Sequence, residues 1–153
     1  MRMKICINKP TTTQVAKLNT DQIAAIETED IAAMGTAQIA AISAGKFSAL
    51  TTDQVAALSS VQMPRLSAAQ IAAMTTEQIA AIETGDLRLL TSTQLAALQS
   101  SQIAGLTTDQ IQAISSANIR FIDAGDMAAM STEQLAALTS LQAAGLTTAQ
   151  VAA

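Results

Sequence analysis

The stretch Thr51-Thr52-Asp53-Gln54-Val55-Ala56-Ala57-Leu58 decides how the rest of the chain is read. A Thr followed three residues later by Gln, and then by an apolar residue, is the pattern of a capping box. Thr51 is expected to accept from the backbone N–H of Gln54, and Gln54 to reach back to the N–H of Thr51. Leu50 before the cap and Val55 at the fourth helical position form a hydrophobic staple. Asp53 falls in the first turn, where the positive end of the helix dipole favours an acid. Eight residues therefore suffice to start one short helix.

Outward from this stretch the same pattern repeats without insertion or deletion. From Thr11 to Ala153 the chain divides into 18 octads, the last lacking its eighth residue. We number them 1 to 18, so that Thr51–Leu58 is octad 6. The eighth position is Leu, Ile or Met in all 17 complete octads, and the fifth is large and apolar in all but one, Ala143. The fourth is Gln in 13 octads, and the sixth and seventh are mainly Ala. The same cap is expected at Thr75 with Gln78 and at Thr107 with Gln110. A strict period of this kind marks a repeat array.

A single long helix does not fit the pattern. At about 100° per residue each octad overshoots two turns by about 80°, so the apolar stripe has no fixed face. The period matches neither a heptad nor an 11-residue coiled coil. A β-solenoid is the competing reading, since Thr, Val and Ile suit strands. However, Gln-Ile-Ala-Ala-Leu does not alternate, and Ala is depleted in strands. The expected fold is all-α: a solenoid of helices of about two turns, one per octad. Such helices are too short to stand alone and must stack side by side, with the fifth and eighth positions inward.

The exceptions suggest a longer period. Gly45, Gly85 and Gly125 stand at the third octad position, 40 residues apart, as do Gly105 and Gly145 at the seventh. Five octads are thus expected to form a superrepeat, one turn or segment of the superhelix. Its corners would be at Gly45, Gly85 and Gly125, with glycine as a left-handed C-cap and Asp86 as the next N-cap. Pro64 inside octad 7 is expected to end or kink that helix.

Composition restricts the function. The 153 residues are 50% hydrophobic, yet only Phe47 and Phe121 are aromatic, and there is no His, Trp or Tyr. Without His the commonest general base and zinc ligand are missing. The lone Cys6 can form neither an intramolecular disulfide nor a thiolate cluster. A net charge of −4 argues against binding nucleic acid. No nucleophile–base pair can be assembled, so no catalytic residue and no cofactor is expected. No long apolar run exists, because Thr, Ser or Gln interrupts every octad, so membrane insertion is not expected. The segment 1–10 lies outside the repeat and reads as an extended cap over the array that spans 11–153. Its apolar part is too short for a signal sequence. At the other end octad 18 breaks off, which suits either a longer array or an open end that meets another chain.

Candidate contact residues are those that replace the small consensus residues. Arg88 and Arg120 stand at the sixth position, Arg65 and Phe121 at the seventh, and together they suggest a patch for a protein partner. The Gln ladder offers a polar groove as one reading and helix capping as the preferred one. The acids Glu27, Glu29, Asp30, Asp123 and Asp126 match no calcium loop and read as solvated helix ends. Phe47 reads as core.

The strings TTDQVAAL, TTEQIAAI and TTAQVAA resemble octapeptide arrays of very large bacterial secreted and cell-surface proteins, some of the RTX type. The resemblance covers residues 11–153 and implies an extracellular, non-catalytic spacer or stalk module. The chain differs from those proteins in lacking glycine-rich calcium-binding nonapeptides and an export signal. A repeat scaffold that binds a protein, or itself, through its superhelical face or open ends is the alternative.

Overall fold

The computed structural model describes residues 10–153. The expected cap at 1–10 and Cys6 therefore lie outside the described residues, apart from Pro10. Within them the chain is all-helical, with 16 short α-helices, two 3₁₀ helices and no strand. Each octad supplies one of these 18 elements. The two 3₁₀ elements, Met63–Arg65 and Ile119–Phe121, belong to octads 7 and 14. Pro64 has no N–H to give to an α-helical bond, which accounts for the first of them.

Octad 6 shows how an element is built. Its helix, Thr52–Ala56, starts after Thr51, whose backbone is extended. The Thr51 hydroxyl accepts from Gln54 N at 3.2 Å, and Gln54 Oε1 accepts from Thr51 N at 2.8 Å. The helix ends when Leu58 N donates back to the Val55 carbonyl at 3.1 Å, a tightened last turn. Extended backbone at the junction of octads then lets the next helix begin. Equivalent reciprocal bonds join Thr75 to Gln78 and Thr107 to Gln110.

Apolar burial follows the fifth and eighth positions. From Val15 to Met127 every fifth-position residue is buried, as is every eighth-position residue from Ile26 to Met130. Phe47 takes its fifth-position place in this core and is fully buried. Each buried Ile or Leu contributes about 1.5–3 kcal/mol. That contribution is what holds helices of four to six residues, which have no independent stability.

The octads that touch are not sequence neighbours alone. Helices three octads apart pack together: Ala44–Phe47 with Ala68–Ala72, Thr84–Leu87 with Thr108–Ala113, and Ser100–Ala104 with Ala124–Met127. Side-chain hydrogen bonds connect octads four apart, at separations of 28 and 31 residues, as in Gln54 to Ile26 and Ile23. The spatial repeat is therefore three to four octads, and the expected 40-residue turn is not observed.

The expected corners are also different. The helices Ala44–Phe47, Thr84–Leu87 and Ala124–Met127 run through Gly45, Gly85 and Gly125, which occupy the second helical position in each. None of the three glycines has a positive φ. They share a local position, but they are not left-handed C-caps. The helices of these three octads are short, with four residues each. Glu83, not Asp86, is the N-cap residue of octad 10.

Candidate functional site

The fourth-position glutamines do more than cap. In octad 8, Gln70 Oε1 accepts from Ser67 N at 2.8 Å, while its Nε2 donates to the carbonyls of Ile39 and Ile42 at 3.1 and 2.8 Å. Gln78, Gln94, Gln102, Gln110, Gln134, Gln142 and Gln150 repeat this pair of donations 31 and 28 residues back. One amide thus starts its own helix and ties it to the end of the helix four octads earlier. These glutamines are buried, Gln54 at 1% exposure although it borders a cleft with Thr51 and Asp53, so they offer little surface to a partner.

Sequence reasoning found the capping role of Gln and missed this second one. The available signal was the preference for Gln over Glu. A capping box accepts either, but only the amide adds N–H donors. In octads 1 and 2 the fourth-position glutamines, Gln14 and Gln22, are exposed.

Departures from Gln show which chemistry the position tolerates. Lys46 Nζ donates to Leu18 O at 2.7 Å and to Ala16 O at 3.1 Å, so an ammonium replaces the amide. Asn118, one methylene shorter, reaches only Leu90 O, at 3.2 Å. Asp126 accepts from Ser100 Oγ at 2.5 Å. Asp86 is buried, and its carboxyl is held above the usual carboxylate range by that burial, with the nearby Glu83 charge adding to the effect. For Asp30 the corresponding acceptor falls at residue 2, outside the described residues.

Two acids of the third position, Glu77 and Glu133, behave in the opposite way. Glu77 is held below its ordinary value by its own backbone N–H and then by the Thr75 hydroxyl. Glu133 is lowered in the same way, first by its own N–H and then by Ser131. Both carboxylates sit at helix starts, where free N–H groups favour the charged form.

The seventh position sets how closely the octads approach. A methyl group on Gly145 would come within 2.6 Å of the Ser116 carbonyl oxygen, and one on Gly105 within 2.8 Å of the Thr76 methyl. In both cases the seventh position of one octad meets the second position of the octad three before it. Sequence reasoning noted the spacing of these two glycines but not its steric cause.

Arg65, Arg88, Arg120 and Phe121 are all exposed, Phe121 at 44%. They come from octads 7, 10 and 14, which stand three and four octads apart, the spacings at which octads touch. Asn118 bonds octad 14 to octad 10, and Gln94 bonds octad 11 to octad 7. The 3₁₀ element of octad 14 packs on the helix of octad 11. Leu89 and Val61, 41% and 68% exposed, come from the same octads and were not singled out from the sequence. Beside Arg88 lies an open cleft of about 430 Å³ lined by Thr84, Asp109, Gln112, Ala113 and Thr139.

Among the described residues no helix is long and apolar enough to cross a membrane. The fold and its ladder define a tandem array of short helical repeats. The model of the ALTTAQ repeat matches residues 23–60, 79–116 and 119–153, more than half of the chain, and the protein belongs to this repeat family. No curated protein and no solved structure matches the chain.

Proposed function

We propose that the chain is a non-catalytic structural module, a spacer or stalk segment of a larger protein, whose octads wind as an α-solenoid. The ladder carries this reading. From Gln54 to Gln150 the fourth-position amides are engaged with the backbone of the array itself, which leaves them no role at a ligand. A tie 28 residues long is three and a half octads, and that spacing is the turn of the proposed winding. In a solenoid each unit contacts only its neighbours, so length can change without redesign of the core. Residence on a bacterial surface or in a secreted protein is supported by the resemblance of TTDQVAAL and TTEQIAAI to the arrays of such proteins.

Small-angle scattering tests the reading. Appending four TTDQVAAL octads is expected to lengthen the particle along one axis at constant cross-section and to raise the unfolding midpoint. A particle that widens instead, or a midpoint that stays the same, would contradict it.

A second reading is a protein-binding scaffold. One observation favours it: five of the residues that break the small-residue rule at the sixth and seventh positions, Arg65, Arg88, Leu89, Arg120 and Phe121, come from octads at contact spacing. A spacer tolerates their return to Ala, whereas a binder loses its partner.

A further inference from the structure

The ladder has one rule: the fourth-position side chain donates to the carbonyl 28 residues earlier. Gln, Lys46 and Asn118 all obey it. For Asp86 the corresponding acceptor is Leu58 O, in octad 6. Among the described residues no side chain donates to that carbonyl, although Leu58 is buried, at 2% exposure. Asp86 itself is 9% exposed. An ionised carboxylate has only acceptors, so it can make no bond to a carbonyl. A neutral carboxyl has one O–H to donate.

We propose that Asp86 is a proton-gated link in the ladder, which ties octad 10 to octad 6 through the Leu58 carbonyl when the carboxyl is neutral and releases that tie when it ionises. The proton comes from solvent and returns to it, and the side chain remains otherwise unchanged. Among the described residues no cation pairs with Asp86. On its own element the other charged groups are Glu83 and Arg88, and on octads 6, 7, 13 and 14 they are Asp53, Arg65, Asp109 and Arg120. All six are exposed. Burial and Glu83 both favour the neutral form, which agrees with the direction required.

The sign of the pH dependence follows. A carboxyl raised in the folded state contributes stability that is complete below its unfolded value, about 3.9, and is lost as pH rises through the folded value. The natural array should therefore tighten on acidification at this link, on top of any change its other carboxylates produce. Positions 46, 86 and 126, five octads apart, carry a charge in place of the amide, as does Asp30 outside that period.

The test compares the unfolding midpoint of the full chain with that of Asp86→Gln and Asp86→Asn, from about pH 7 down to about pH 4. Both variants carry N–H donors at every pH. Asp86→Gln is expected to be more stable than the natural chain near neutrality, with the gap closing toward acid pH. A gap independent of pH, or no gap at neutrality for either variant, overturns the proposal. Carbon-detected titration of Asp86 in the natural chain gives a second readout that needs no variant to fold. A carboxyl that titrates at or below the ordinary Asp value overturns it too.

Discussion

Gln70 Nε2 donates to the carbonyl of Ile42 at 2.8 Å, across 28 residues of intervening chain. The same side chain accepts from Ser67 N through Oε1. A single amide thus converts a local device, the helix cap, into the bond that fixes how far away in sequence the next contact lies. Helix start and the tie between octads four apart are set by one residue type.

Gln70→Glu separates the two roles. The carboxylate can still accept from Ser67 N, but it has nothing to give to Ile39 and Ile42, and it places a charge in a buried site. A buried group left unpaired costs about 1–3 kcal/mol, and more when charged. We expect a loss of about 3 kcal/mol in chemical unfolding, against about 1 kcal/mol for Ser67→Ala, which removes only the cap. Equal losses would show that Gln70 acts as a cap alone.

The glycines divide into two groups. Gly145→Ala would push a methyl into the Ser116 carbonyl and is expected to cost about 1–3 kcal/mol. Gly45 and Gly85 have nothing within 4 Å of the added methyl and lie inside helices. Their replacement by Ala should stabilise by about 0.5–1 kcal/mol each. Thermal unfolding of the three single variants checks the contrast, and a destabilised Gly85→Ala would contradict it.

Ile71 is fully buried at the fifth position of octad 8. Truncation to Ala should cost about 2–5 kcal/mol. Leu135, at the same position of octad 16, is 45% exposed and should lose far less on the same change. A similar loss at both sites in urea titrations would mean that burial along the array is more even than the structure has it.

The exposed face of octads 7, 10 and 14 is expected to contribute little to folding. Arg65→Ala, Arg88→Ala and Arg120→Ala should each stay within about 0.5 kcal/mol of the natural chain. A large loss for any of them in calorimetry would assign that arginine to the array and not to a partner.

Much of this architecture was legible in the sequence because its causes are local. The Thr–Gln pair, the staple and the acid of the first turn all act within one octad, so the eight-residue frame and the inward fifth and eighth positions could be read directly. What stayed hidden acts between octads distant in sequence. The acceptors of Gln70 lie in octad 4, and nothing in octads 5 to 7 announces them. Gly85 was misread because glycine commonly ends helices, whereas here it sits inside a first turn beside a ladder break at Asp86. The small seventh position at Gly145 has its reason in octad 14, which only the stacking reveals.

Spin-label distances test the central claim, that octads tie back three to four octads away, most directly. Pairs of labels at the exposed third-position sites, with one member fixed at Asp53 and the other moved along the chain an octad at a time, sample the array. The account predicts distances that rise and fall, with minima near the 28–31-residue separations of the ladder. Distances that grow steadily with separation, or a first minimum at five octads, would contradict it.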